Sequence, residues 1–421
     1  ITINSKDKTM NNSAILNELA NLNPPQAKFD TSSMLQVLKL LQHPEKSYPV
    51  IHIAGSNGKG STAAFLETGL IAAKYKVGKF TSPYIHRLNE CIVLNQQEIS
   101  DQDLCQIYLD IKSLTLAQEI YVSSFEMLTL IMFVYFARHN IDYLVLEAGL
   151  GGLNDSTNVV DSKYSIITNI SLEHTQWLGS SLSEIATHKA GIIKSGLTII
   201  ASETPELIAA VTQKTSNYIN VVEKYKYSTR LNTLDFTTKL KFSHNNMSHL
   251  LTLGLFGHFQ AKNFLAAYAV LNDLKISDRI IFQAAATTIW PGRLECINKK
   301  PWIIADASHN VDGANQLYAS IHELVKPDQC VIIASILNDK NYDQMLNIYA
   351  KIADSLIVCN LAQQPRAISA IKLAKLAKYK FKNIYVYNSP HAALQHVKRM
   401  NKNLTILSGS TYLLKYFIKT N

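Results

Sequence analysis

The sequence predicts an α/β protein in two parts. The first is an N-terminal domain with a mostly parallel sheet and a β-rich edge; the second is a smaller Rossmann-like α/β domain. Three observations carry this. Val50-Ile51-His52-Ile53-Ala54 is a short apolar run that enters a glycine-rich turn and leaves as a helical pattern. Similar runs alternate with helical stretches up to Ala201 and again from Ile303 onward, which is the signature of parallel strands covered by helices. Between roughly 218 and 256 the pattern changes to polar and apolar residues in turn, as in Leu250-Leu251-Thr252-Leu253.

The elements follow in order. Residues 1–12 read as a polar tail without a signal-peptide core. Residues 13–47 read as helical, with Leu35, Leu38 and Leu41 at helical spacing and a break at Pro24-Pro25. Strand 49–54 and helix 61–74 flank the turn. Strands are expected at 77–81, 91–94, 143–147, 165–169 and 197–201, and helices at 101–114, 125–138 and 182–189. The apolar run Met127 to Ala137 is shorter than the ~20 residues that span a bilayer and reads as a buried helix. Helices at 260–272 and 277–288 lead to Trp290-Pro291-Gly292-Arg293. The second alternation has strands at 303–305, 330–335, 355–359, 383–386 and 404–407, and helices at 311–325, 342–352, 368–378, 390–400 and 411–418. The expected domains are a P-loop ATPase-type domain over 13–296, including the β-rich excursion, and a Rossmann-like domain over 300–421. The second lacks G-x-G-x-x-G, so no dinucleotide is expected there.

Composition narrows the function. The 421 residues are 47% hydrophobic and 17% charged, an ordinary globular balance. The five cysteines form no C-x-x-C pair, which fits a reducing cytoplasm. The net charge of +9 is spread without a block of like charges or a basic stripe with interleaved aromatics. Nucleic acid and membrane are therefore not expected as partners, and polyanionic small molecules are.

The glycine-rich turn Gly55-Ser56-Asn57-Gly58-Lys59-Gly60-Ser61-Thr62 has the chemistry of a phosphate loop. A strand turning into a helix leaves free N–H groups and a helix dipole that favour phosphate. Lys59 can reach a β- or γ-phosphate, and Ser61 or Thr62 offers a hydroxyl to Mg²⁺. The spacing departs from G-x-x-x-x-G-K-[ST]: Ile53 replaces the first glycine, and Gly60 separates Lys59 from Ser61. Glu147 ends a buried strand before Ala148-Gly149-Leu150-Gly151-Gly152, where a carboxylate suits Mg²⁺. His174, Lys189 and the cluster Asp306, His309 and Asn310 each have an ordinary reading alone.

Taken together, these segments resemble the Mur-ligase superfamily, and most closely the folylpolyglutamate synthase/dihydrofolate synthase family. Nine stretches in order carry the resemblance: His52–Thr62; Thr81-Ser82-Pro83 with Asn89-Glu90; Phe125-Glu126; Glu147–Gly152 with Asp155-Ser156-Thr157-Asn158; His174–Gly179; Lys189-Ala190-Gly191-Ile192; Gly257–Gln260 with Asn263; Trp290–Glu295; and Asp306–Asn310. The resemblance implies that Asn57, Gly58, Lys59, Gly60 and Ser61 hold ATP phosphates. It implies two Mg²⁺ ions held by Ser82, Glu147, His174 and a carbamylated Lys189. Asn263, Arg293 and Asp306 would contact ATP, and His309 would stabilise the transferring phosphoryl or the tetrahedral intermediate. Ser123, Ser124, Phe125 and Glu126, with Asn154, Asp155 and Ser156, match positions lining a pterin pocket.

Three departures stand out. Leu153-Asn154 replaces the usual Arg-Leu, Glu173 replaces Asp, and Asp306-Ala307-Ser308-His309-Asn310 replaces Asp-Gly-Ala-His-Asn. The expected activity is an ATP-dependent, ADP-forming ligation of L-glutamate to dihydropteroate or to reduced folates, by a monomer whose second domain closes on the first when ATP binds. The alternatives are a monofunctional folylpolyglutamate synthase and a Mur-type ligase with another acceptor. A cell-wall Mur ligase would be expected to carry a uridine-nucleotide-binding domain before the phosphate loop.

Overall fold

The computed structural model describes residues 11–23, 30–245, 247–362 and 364–418. The expected break at Pro24-Pro25 and the first ten residues of the tail lie outside these. The chain divides into two compact units: residues up to Lys224 with Leu265–Ile281, and Tyr225–Phe264 with Phe282 onward.

The first unit is built on one sheet. Its strands are β1 (Val50–Ala54), β2 (Val77–Phe80), β3 (Ile92–Leu94), β4 (Gln97–Glu98), β5 (Tyr143–Glu147), β6 (Tyr164–Ile167), β7 (Leu197–Ile200) and β8 (Tyr218–Asn220). Their order is β4-β3-β2-β5-β1-β6-β7-β8. All pairings from β2 to β8 are parallel, and β3 and β4 add antiparallel at one edge. The central strands are apolar without alternation because both faces are covered; β1 and β5 are buried throughout. From β1 the chain runs first to β2 and β5 on one side and later to β6 on the other. Neighbouring connections therefore diverge at the carboxyl end of β1, where open α/β sheets take ligands.

The helix Ser124–Arg138 is buried along most of its length, with Leu130, Ile131, Met132, Phe133 and Phe136 fully enclosed. Among the described residues no helix is long and apolar enough to cross a membrane. The apolar face of helix Ser32–Leu40 differs from the spacing expected. Met34, Val37 and Leu38 are buried, while Leu35 is 50% exposed. Leu35 is turned by ~100° from Met34 around the helix, off the i, i+3, i+4 stripe. Tyr218–Asn220, expected at the start of the β-rich excursion, joins the main sheet beside β7. The helix Pro205–Thr212 was not foreseen.

The second unit holds two sheets. The strands β9 (Tyr227–Asn232), β10 (Thr237–His244) and β11 (Met247–Leu253) form an antiparallel sheet in the order β11-β10-β9. Phe236 and Phe256, which flank β10 and β11, pack in one core with Leu294, Ile304 and Ile332. The other strands are β12 (Glu295–Lys299), β13 (Trp302–Ala305), β14 (Cys330–Ala334), β15 (Ser355–Cys359), β16 (Asn383–Tyr387) and β17 (Leu404–Ser408), in the order β12-β13-β17-β14-β15-β16. All pairings are parallel except that of β12, an antiparallel edge strand. Its sequence, Glu-Cys-Ile-Asn-Lys, carries too little apolar pattern to announce a strand; pairing with β13 decides it.

Candidate active site

In the first unit the site grows from the end of β1. Gly55 has φ +151°, and a Cβ there would lie 1.9 Å from Thr168 Oγ1, so only glycine fits. Gly58, at φ +85°, turns the chain into helix Lys59–Ala72. The residues after β6 stitch the loop down. Thr168 Oγ1 donates to the Asn57 carbonyl at 2.6 Å, and Asn57 N donates to Asn169 Oδ1 at 2.8 Å. Ser56 N donates to the Asn169 carbonyl at 3.1 Å, and Ser171 N to Ser56 Oγ at 2.9 Å. Thr168 and Asn169 were missed by sequence reasoning. Their only signal is their place at the close of the expected strand 165–169, which ends at Ile167 in the structure.

Lys59 Nζ donates to the Gly55 carbonyl at 2.8 Å and stands 3.8 Å from Glu147 Oε1 at the end of β5. The hydroxyls of Ser61 and Thr62 are buried and lack a hydrogen-bond partner among the described residues. Unpaired buried hydroxyls at the helix start and the buried Glu147 carboxylate beside Lys59 are hard-oxygen donors of the kind Mg²⁺ takes. Ser82 is half-buried just past β2, and His174 is exposed, at φ 49°, at the start of the short helix Thr175–Leu178. Among the described residues no three His, Cys, Asp or Glu side chains converge as a metal-holding group.

Lys189 lies at the end of helix Leu182–Ala190 and is 1% exposed. Its Nζ donates to Glu173 Oε1 at 3.0 Å. Burial holds the Lys189 ammonium below the ordinary lysine range, against the pull of Glu173. Burial pushes Glu173 up, but Lys189, Lys59 and His174 outweigh it and hold the carboxyl at about 2. In the sequence Glu173 stands out only as a departure from the family pattern. The fold makes it the counter-ion of Lys189.

The glycine-rich loop after Glu147 is packed on the end of the Lys189 helix. Leu153 N donates to the His188 carbonyl at 2.8 Å, and a Cβ on Gly191 would lie 2.4 Å from Leu153 Cα. A Cβ on Gly149 would lie 2.4 Å from Phe125 Cζ, so the Phe125 ring supports this loop. Asp155 is buried and turned inward. Its oxygens accept from Leu150 N at 2.6 Å, Thr157 N at 3.0 Å and the Thr157 hydroxyl. Thr157 Oγ1 is also 2.8 Å from Nε2 of the buried His52 on β1. Ser123 and Glu126 form a capping box at the start of helix Ser124–Arg138, with Glu126 Oε2 accepting from Ser123 N and Oγ at 2.7 Å. Three expected pocket residues, Asp155, Ser123 and Glu126, thus brace the loop and helix, while Asn154 and Ser156 are only half-buried.

The second unit collects the other expected residues. Asn263 Nδ2, buried on helix Gln260–Asp273, donates to Gln260 Oε1 at 2.9 Å. The turn carrying Arg293 is tied to the end of β13. Leu294 N donates to Asp306 Oδ2 at 3.1 Å, and Ala307 N to the Gly292 carbonyl at 2.7 Å. Ser308 N donates to Asp306 Oδ1 at 3.0 Å. His309 Nδ1 donates to the Ala307 carbonyl at 3.0 Å, which fixes the ring and leaves Nε2 as its second face. Asn310 caps helix Val311–Ile321 through Gly313 N at 2.7 Å. The turn on either side of Arg293 is therefore held to Asp306 and Ala307 by one bond to the Asp306 carboxylate and one backbone bond.

The Mur ligase middle domain matches residues 53–271, and the Mur ligase glutamate ligase domain matches residues 292–411. The dihydrofolate synthase/folylpolyglutamate synthase of Bacillus subtilis is 31% identical over 401 residues, covering 90% of this chain and 92% of that protein. The chain belongs to the dihydrofolate synthase/folylpolyglutamate synthase family of Mur ligases. A structure of E. coli FolC in complex with DHPP and ADP is 28% identical, with a TM-score of 0.87 over 97% of each chain. A Mycobacterium tuberculosis folylpolyglutamate synthase complexed with ADP and AMPPCP is 25% identical, with a TM-score of 0.87 over 96% of this chain and 98% of that one. For a Mur ligase, the buried lysine paired with a carboxylate beside the phosphate loop is the part of the site that no local sequence pattern could have assembled.

Proposed function

We propose that this Mur ligase joins L-glutamate to dihydropteroate and to the glutamate tail of reduced folates, using ATP and Mg²⁺ and releasing ADP. The observation that carries the reading is the phosphate loop itself: Lys59 stands beside Glu147, and Ser61 holds its hydroxyl unpaired at the helix start. A folate carboxylate oxygen attacks the γ-phosphorus of ATP, the bond to the ADP oxygen breaks, and an acyl phosphate forms. The α-amine of L-glutamate then attacks the acyl carbon, loses a proton, and phosphate leaves with the former carboxylate oxygen.

In this reading Lys59 and the N–H groups of Gly58 to Ser61 orient the phosphates and offset their charge, while Asn57, tied through its own N–H to Asn169, shapes the turn that holds them. Ser82, Glu147, His174 and a carbamylated Lys189 would hold Mg²⁺, with the Ser61 hydroxyl near the phosphates, and the ions would supply positive charge against the transferring phosphoryl. Asn263, Arg293 and Asp306 bind the nucleotide, and His309 meets the phosphoryl or the tetrahedral intermediate. Lys189 stands as an ammonium paired with Glu173, and a carbamate would form on it only once that ammonium gives up a proton and the amine attacks carbon dioxide, which exchanges the cation for an oxygen ligand. The proposal includes a monomer working in the cytoplasm, in keeping with five free cysteines.

Leu153, 42% exposed in place of the family's arginine, favours a second reading in which polyglutamylation dominates. ADP release with MgATP and L-glutamate, on either dihydropteroate or tetrahydrofolate, separates the two. Turnover with both supports the bifunctional enzyme. Turnover with tetrahydrofolate alone supports the second reading. Turnover with neither, on protein that binds MgATP, refutes the folate assignment.

A further inference from the structure

The loop Asp306–Asn310 departs from the family pattern at Ser308, and the structure gives that serine a use. Ser308 Oγ lies 2.9 Å from Ser408 Oγ at the end of β17, and Tyr349 OH lies 3.0 Å from the same Ser408 oxygen. Tyr349 comes from the helix Tyr342–Ile352. All three side chains are buried, Ser408 and Tyr349 completely. Burial pushes the Tyr349 hydroxyl far above its ordinary range, so it stays protonated and remains a donor at any working pH. The rest of the loop is fixed to the same strand end: Asp306 N donates to the Leu407 carbonyl at 2.9 Å and Gly409 N to the Ser308 carbonyl at 3.0 Å. On its other side Ser308 has no slack, since a Cβ on Gly313 would lie 2.9 Å from Ser308 Cβ.

Stability alone does not call for three hydroxyls here. Replacing paired buried polar groups by apolar ones of the same shape is nearly neutral. What the chain of hydroxyls does is define where Ser308 sits, and Ser308 lies between Asp306 and His309. We propose that Tyr349, Ser408 and Ser308 form a buried relay that positions the Asp306–His309 loop for phosphoryl transfer. The three are positioning residues; none touches substrate. The proposal rests on the reading of Asp306 and His309 given above.

The test compares Ser308→Ala, Tyr349→Phe, the double variant and His309→Ala, measuring kcat and the KM for ATP by ADP release together with melting temperature. One neutral hydrogen bond lost from a positioning chain corresponds to about a 3- to 10-fold fall in kcat. Each single variant is expected to show that fall with the KM for ATP close to the parent's and a melting temperature lower by only about 2–4 °C, the share of one buried hydrogen bond. The double variant is expected to be no slower than the slower single, because the relay fails as a unit. Parent-like kcat in Ser308→Ala overturns the relay. Losses that multiply in the double variant, or a change confined to melting temperature, also overturn it. Parent-like kcat in His309→Ala overturns instead the reading of the loop, whereas a slow His309→Ala beside a normal Ser308→Ala removes only the relay. Should Ser308→Ala fail to fold, Tyr349→Phe, which deletes one oxygen and no packing, decides the matter alone.

Discussion

Gly191 follows the helix Leu182–Ala190 that carries Lys189, and the loop from Glu147 packs against it. In Gly191→Ala the new methyl would lie 2.4 Å from Leu153 Cα, 2.5 Å from Leu153 Cβ and 2.7 Å from Leu153 N. Ordinary contacts at a Cβ begin near 3.4 Å, so the loop backbone must retreat by about 1 Å. It cannot retreat freely. Leu153 N is bonded to the His188 carbonyl, and Asn158 Nδ2 spans the Leu153 and Gly191 carbonyls at 2.9 and 3.2 Å. Overpacking of this kind costs about 1–3 kcal/mol, and each hydrogen bond lost adds about 1 kcal/mol. A total near 3 kcal/mol is expected, a fall of roughly 6–12 °C in melting temperature for a unit of this size. The same movement shifts the loop that follows Glu147 relative to Lys189, and a displacement of ~1 Å at a reacting centre can cost about 100-fold in rate. Calorimetry or circular dichroism reads the first effect, and kcat for ADP release well below the melting range reads the second. Gly196→Ala is the control. Its methyl would lie 2.0 Å from the Lys163 carbonyl, at the start of β7 and away from the strand ends that carry the site, so it should lower stability without lowering kcat. A Gly191→Ala protein with unshifted melting and kcat within twofold of the parent would refute the reasoning.

Three other predictions follow from single contacts. Lys59→Met removes the cation beside Glu147 and should lower kcat by about 100-fold or more with little change in melting temperature; a smaller kinetic loss removes Lys59 from the phosphoryl step. Against a parent whose Lys189 is not carbamylated, Lys189→Met leaves Glu173 buried without its nearest counter-ion and should cost about 3 kcal/mol, most of it recovered in Lys189→Met/Glu173→Gln; denaturation of the pair of variants measures the coupling, and independent effects would dissolve the ion pair. His52 is fully buried, and burial, helped by Lys194, lowers its pKa to about 3. Its neutral form is favoured in the fold, so the stability it contributes is complete above pH 6.5 and is lost as pH falls from 6.5 toward 3. Between pH 7 and pH 5 the loss is on the order of 2 kcal/mol, and urea unfolding of His52→Gln should show a flatter dependence by that amount; parallel curves would count against a buried neutral imidazole.

Much of the site was legible locally. The phosphate loop could be read because a strand, a glycine turn and a helix start are written in consecutive residues. Glu147 could be read because a carboxylate closes an apolar run. The capping roles of Ser123 and Glu126 are also a local pattern, Ser-x-x-Glu before an apolar helix, yet these residues had been read for a pocket. The likeness to a family supplied their proposed role, and the box explains their spacing equally well.

The sequence by itself determined the α/β class, the strands and helices with clear periodicity, and the glycine-rich turn whose residue types suit phosphate and magnesium. Those properties depend on neighbours within a few positions, where backbone geometry and side-chain period are fixed by the chain. Only the tertiary structure decided that Thr168 and Asn169 hold the loop before Lys59, that Glu173 neutralises Lys189, that Asp155 turns inward, and that Ser308 reaches Tyr349 through Ser408. Those partnerships depend on which strand lies beside which, and on how far water is excluded. A 100-residue separation between Ser308 and Ser408 disappears when β13 and β17 become neighbours in one sheet, and no spacing rule along the chain encodes that step.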